Sequence, residues 1–229
     1  MPRFYLGYLR FMKGRVRGEA EVVELAREYS RILRVPIEIE VMTAGVRPKG
    51  AYYSVLLTRS PHGQVITYNP TKHDRYRGRR YISPVLEDEI SISIQEQALA
   101  EVKRLDTNGT LTCFFDLELK LVSIETGLTF ESLWTLDFAA ISHFENAVRG
   151  ANDLPLGNSE MFRKDWLVLE YEAPHGLDMT KPYLHLFAHN PNYQIKQLTV
   201  NRGVVSTFGK ELLQQVQHAV DYLEGVIDE

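Results

Sequence analysis

The sequence predicts an α+β protein: mainly antiparallel sheet with about four helices, the last of them packed on the sheet. Three observations carry this. Short alternating runs such as "PIEIEVM" and "DWLVLEYE" read as half-buried strands, while longer segments repeat apolar residues at helical spacing. The predicted order, β-α-β-β-β-α-β-α-β-β-β-α, groups strands together instead of alternating them with helices. The composition, 44% hydrophobic and 24% charged over 229 residues, suits an ordinary globular chain with a substantial core. We expect a single domain over residues 1–229, divisible into a lobe of residues 1–82 and a lobe of residues 83–229.

Residues 3–12 read as a strand ended by the basic turn "KGRVRG". Val22, Val23, Ala26, Tyr29 and Leu33 give a helix over residues 19–34 one apolar face. Its Glu24–Arg27 and Glu28–Arg31 pairs can satisfy each other at i,i+3. Pro36 stops that helix, and Ile37, Ile39 and Val41 alternate in the next strand. "AYYSVLLT" and "QVITYN" form a hairpin across the "RSPHG" turn. "TKHDRYRGRRY", residues 71–81, has no apolar period and reads as a loop broken by Gly78.

Ser83 and Pro84 occupy helix-start positions, and Leu86, Ile90, Ile94, Ala98, Val102 and Leu105 continue a helical face to Asp106, which favours a helix although "EISISI" also alternates like a strand. "TLTCFFDLELKLVSI", residues 110–124, reads as one long strand, followed by an apolar helix over residues 131–149. "GANDLPLGNS" is a loop and a linker candidate. Three strands follow, "DWLVLEYE", "YLHLFAH" and "YQIKQLTV", then a helix over residues 206–224. Its seam of Leu212, Val216, Ala219, Leu223 and Val226 is expected to face the protein's own core, with a partner helix as the lesser alternative.

Several chemistries are unsupported. No segment has the roughly 18 consecutive apolar residues of a membrane span, and the N-terminus lacks the pattern of a signal peptide. Cys113 is the sole cysteine and falls on an apolar strand face, so a disulfide framework and a thiolate zinc cluster are excluded. A reducing cytoplasm is the expected location. There is no phosphate loop, dinucleotide fingerprint or Gly-x-Ser-x-Gly elbow.

The charge layout says more. The net charge of −4 conceals 16 Lys and Arg against 7 Asp and Glu in residues 1–82, and 10 against 23 in residues 83–229. Such asymmetry points to an anionic partner for the basic part, or to mutual neutralisation of the two parts. Two Arg-x-Arg-Gly turns supply Lys13, Arg15 and Arg17, then Lys72, Arg75, Arg77, Arg79 and Arg80. Arginine forks suit phosphate oxygens, and Tyr76 and Tyr81 are placed to stack on bases. The leading expectation is therefore a non-catalytic binding or adaptor protein that contacts nucleic acid or an acidic protein surface and needs no cofactor.

The alternative is an enzyme acting on nucleic acid with Mg2+ or Mn2+. On one long strand Asp116, Glu118 and Lys120 share the polar face, where two carboxylates can hold a divalent cation and a lysine can stabilise a phosphate oxygen. "FFDLELK" resembles the DxE of archaeo-eukaryotic primases, the DxE of proofreading-type exonucleases and the ExK of restriction-type nucleases. That resemblance implies Asp116 and Glu118 as metal ligands, with Asp106 or His185 assisting. A second alternative is an inhibitor or immunity-type protein whose acidic part meets a basic target. On a strand, His185 and His189 would lie about 13 Å apart, too far for one ion. Asp137, among apolar helical neighbours, would be costly to bury unless paired.

Overall fold

The computed structural model describes residues 47–105, 107–176, 180–198 and 201–227. The strand at 3–12, the helix at 19–34, the "PIEIEVM" strand, Lys13, Arg15, Arg17 and Asp106 lie outside the described residues. The described chain forms two compact units: residues 47–73, 84–105 and 107–164 make the first, and residues 74–83, 165–176, 180–198 and 201–227 the second.

The first unit is built on strands β1 (Tyr53–Arg59), β2 (Val65–Thr67), the start of β3 (Thr71–Tyr76), β5 (Gly109–Phe115) and β6 (Leu121–Thr126). They are hydrogen-bonded in the antiparallel order β6-β5-β1-β3, with β2 also on β1. Helix α1 (Asp88–Leu105) covers one face: its Ile94, Ala98 and Val102 pack on Val55, Leu57, Leu111, Cys113 and Phe115. Asp88 and Glu89 in its first turn and Lys103 and Arg104 in its last complement the helix dipole. The opposite face meets a 3-10 turn (Phe130–Ser132), α2 (Thr135–Phe138) and α3 (His143–Ala151). Covered on both sides, β1 is buried along nearly its whole length. Burial pushes the Cys113 thiol up to about 12.

The second unit holds the rest of β3, β4 (Arg79–Pro84), β7 (Trp166–Glu172), β8 (Gln194–Gln197) and β9 (Arg202–Phe208), in the order β3-β4-β7-β9-β8. Helices α4 (Thr180–His189) and α5 (Leu212–Leu223) cover one face. Val216, Ala219, Val220 and Leu223 of α5 pack on Leu167, Leu169, Tyr171 and Val205, so the C-terminal helix lies on the sheet as expected. The α+β class holds, with five helices among the described residues.

Five expected elements are corrected. The "TKHDRYRGRRY" loop is the β3–β4 hairpin, turned by Arg77 and Gly78, both at positive φ (47° and 82°), the conformation a type I′ turn requires. Ser83 and Pro84 end β4 and do not start α1. The long strand 110–124 folds back on itself at residues 116–120. The apolar segment 131–149 breaks into three short pieces, and "YLHLFAH" is helical. None of the helices among the described residues is long and apolar enough to cross a membrane.

Candidate functional site

The sheet of the first unit has two unlike faces. Toward α1 it presents Val55, Leu57, Leu111, Cys113 and Phe115; the alternate positions carry Ser54, Thr58, Thr110 and Thr112. Hydroxyls of that kind are costly in an interior unless they bond one another. Here they do. Ser54 Oγ lies 2.8 Å from Thr71 Oγ1 and 2.8 Å from His73 Nε2, and Thr112 Oγ1 lies 3.1 Å from Thr129 Oγ1.

This layer ends on a buried histidine and a buried carboxylic side chain that face each other. His73 Nδ1 faces Glu131 Oε1 at 3.7 Å, with side chains 1% and 3% exposed. His73 comes from the end of β3 within the first unit, and Glu131 from the 3-10 turn that starts at Phe130. That turn is held by a reciprocal cap: Ser132 Oγ accepts from the Thr129 amide while the Thr129 side chain receives the Ser132 backbone. His73, Ser54 and Thr71 are joined by hydrogen bonds, and Glu131 stands next in the row at 3.7 Å from His73.

A second imidazole completes the layer. His143 Nε2 donates to the Leu57 carbonyl at 2.9 Å, which leaves Nδ1 to accept from the Ser132 hydroxyl at 2.9 Å. Desolvation, against the smaller opposing effect of the Leu57 hydrogen bond, lowers this imidazole to about 4, so it stays neutral near pH 7. Its backbone amide is held by Thr135 Oγ1, whose own hydroxyl donates to the Ser132 carbonyl. His143 therefore positions the segment carrying Glu131. Tyr68 packs edge-on against the His143 ring and donates to the Ile141 carbonyl while accepting from Asn146.

The residues singled out in the sequence fall elsewhere. Asp116, Glu118 and Lys120 occupy the turn between β5 and β6 instead of a strand face, and Glu118 and Lys120 are exposed. Asp116 Oδ1 caps that turn by accepting from the Lys120 amide at 2.8 Å, with Leu119 in the left-handed region. The strand-face geometry on which a metal pair was expected is absent. Among the described residues no group of three or more His, Cys, Asp and Glu is placed to hold a metal ion. His185 is on α4 in the second unit, far along the chain from these groups. Asp137 lies in α2, part-buried.

The arginines of the β3–β4 hairpin are satisfied within the second unit. Arg79 bonds Glu172 at 2.7 Å and Glu224 at 2.8 Å; Arg80 bonds Glu170 across the β4–β7 pair; Arg77 and Tyr76 both donate to Asp221. Arg75 closes onto the Gly78 carbonyl, and Tyr81 donates to Asp74. Lys72 is half-buried on β3 opposite Tyr53 in the first unit. Of the two readings of the charge split, local neutralisation describes this hairpin.

No family model matches the chain, and no curated protein resembles it in sequence. Solved structures do resemble it in shape. N5-carboxyaminoimidazole ribonucleotide synthetase from Thermotoga maritima superposes with a TM-score of 0.62 at 16% identity, over 76% of this chain and 52% of that one. The carboxyaminoimidazole ribonucleotide synthase of Aspergillus clavatus, solved with ATP, gives 0.61 at 17% identity, over 80% and 52%. The phosphoribosylaminoimidazole carboxylase ATPase subunit of Aquifex aeolicus gives 0.57 at 19% identity, over 78% and 57%. The likeness is one of fold. The chain spans only a little over half the length of each of these proteins.

This finding corrects the functional expectation. The fold is shared with ribonucleotide synthetases and an ATPase subunit, and Arg77, Arg79 and Arg80 already hold carboxylates of their own unit. The adaptor reading, its nucleic-acid and protein partners, and the inhibitor alternative are set aside with it. Enzymes that use ATP ordinarily bind its phosphates with a divalent cation on carboxylate oxygens. The hydroxyl layer does not fit such an ion: it contains one carboxylate, Glu131, and that faces an imidazole.

Proposed function

We propose that this chain is the nucleotide-using part of an ATP-dependent enzyme of the ATP-grasp type, acting on a small ribonucleotide. The single observation that carries this is the fold, matched at a TM-score of 0.62 over 76% of the chain to a ribonucleotide synthetase. The buried His73–Glu131 couple supports it from within the first unit. A carboxylate beside an imidazole, backed by two hydroxyls, is a group that takes up and returns a proton during bond making. His143 and the 3-10 cap hold Glu131 in place while that happens. A cytoplasmic location belongs to the same proposal.

Calorimetric titration of the full chain with ATP, with ADP, and with ATP in the presence of 5-aminoimidazole ribonucleotide and bicarbonate tests it. Saturable binding of either adenine nucleotide is expected, and phosphate release when all components are present. Glu131→Gln should suppress phosphate release while leaving nucleotide binding within a factor of a few. Absence of saturable binding by ATP and ADP at millimolar concentration overturns the proposal.

A further inference from the structure

We infer that Asn108 is a site of spontaneous covalent modification, at which the side-chain amide is lost through a cyclic imide with Gly109. The site lies in the first unit and is independent of the ATP reading. Asn108 leads into β5, and Asn108–Gly109 is the one Asn–Gly step in the sequence. Asn108 is exposed, and among the described residues nothing is hydrogen-bonded to its side chain. Gly109 stands at φ 107°, and a Cβ built on it would meet nothing within 4 Å, so space for the ring is already open. Its partner in the sheet is Arg59, the last residue of β1. The Gly109 amide is thus at the end of the ladder, where pairing opens most readily.

The chemistry needs no co-reactant but water. The Gly109 nitrogen gives up its proton and attacks the side-chain carbonyl carbon of Asn108. The imide ring closes, the bond to the side-chain nitrogen breaks, and ammonia leaves with the proton. Water then opens the ring at either carbonyl. Opening at the side-chain carbon gives aspartate; opening at the main-chain carbon gives isoaspartate, which lengthens the backbone by a carbon just before β5. The other asparagines are each disfavoured. Asn69 and Asn190 precede proline, which has no N–H to lose. The side chains of Asn146, Asn152 and Asn158 are held by hydrogen bonds. Asn192 and Asn201 precede Tyr193 and Arg202, whose side chains crowd the attacking nitrogen.

The test is timed incubation of the untagged full chain at mildly alkaline pH, followed by peptide mapping, with a synthetic peptide of residues 103–112 as the unfolded reference. The fragment bearing Asn108 should gain about 1 Da as NH2 is replaced by OH, and part of the product should be isoaspartate, which direct hydrolysis of the side chain does not form. The folded chain should react at a rate within about tenfold of the reference peptide, since only the ladder end has to open. Asn108→Gln, which keeps Gly109 and the turn, should leave the mass of that fragment unchanged. A slower rate in the folded chain overturns the inference, as does a product that contains aspartate alone or an equal mass gain in Asn108→Gln.

Discussion

The guanidinium of Arg79 and the carboxylate of Glu224 meet at 2.8 Å, joining a β-hairpin to the end of the C-terminal helix within one unit. Glu224 is also the acceptor of the Glu172 amide at 2.7 Å, and Arg79 in turn reaches Glu172. A side chain that looks like a free cation in the sequence is thus the hub of an intramolecular network. Arg79→Ala should lower stability by roughly 1 kcal/mol, with the loss shrinking at high salt because the groups are partly exposed. Urea denaturation at two ionic strengths measures it.

The same network has a pH signature. The hydrogen bond from Arg202, against the opposing pull of burial, and then that from Arg79 hold the Glu172 carboxyl below its usual range. A depressed carboxylate stabilises the fold above its ordinary pKa, and the benefit disappears as pH falls through the lower folded-state value. Stability of the wild type should therefore decline through the acid range, and Arg202→Ala should flatten that decline.

His143 acts in the first unit at a higher pH. Its imidazole is lowered to about 4, so between about 6.5 and 4 the unfolded chain binds a proton that the folded one does not. Unfolding free energy should rise with pH across that window and be flat, for this group, below it. The full span corresponds to roughly 3 kcal/mol. His143→Gln, which keeps a donor and an acceptor, should remove most of this slope in a series of denaturation curves.

Gly203 lies opposite Tyr171 in the β7–β9 pair, and a Cβ there would overlap the tyrosine hydroxyl and the Lys196 carbonyl. Gly203→Ala should cost about 1–3 kcal/mol as the sheet and the Tyr171–Tyr183 contact shift to make room. The midpoint of urea unfolding checks this directly.

Glu131→Ala should destabilise the first unit by about 3–5 kcal/mol, because it leaves His73 buried beside an empty position. The double variant His73→Leu/Glu131→Leu should recover much of that loss. Thermal unfolding of the three proteins separates a broken pair from a missing one.

Much of the fold was legible because its signals are local. The face of α1 and the β1–β2 hairpin follow from periodicity alone. Alternation misled where it ran on through a turn: Leu117 and Leu119 keep the phase of a strand across the β5–β6 reversal, which the Asp116 cap imposes. Arg77–Gly78 lacks the usual Asn or Asp of its turn type. "YLHLFAH" alternates like a strand, but also repeats its histidines at helical spacing, and tertiary packing of Leu186 decides for the helix. The carboxylates that hold Arg79 lie 93 and 145 residues away, beyond any local signal. The hydroxyl layer did leave a trace, in Ser54 and Thr58 and in Thr110 and Thr112, small polar residues at alternate positions of apolar strands. It became a site only when the 3-10 turn brought Glu131 to His73.

Cys113 has a practical consequence. The one thiol of the sequence sits at 0% exposure on the central face of β5, and burial keeps it protonated at ordinary pH. An alkylating reagent reaches it only when the sheet of the first unit opens. The rate of native-state labelling is then a clock for that opening, read without introducing any probe. Adding a nucleotide that binds this unit should slow the clock, and one that does not bind it should leave the rate alone.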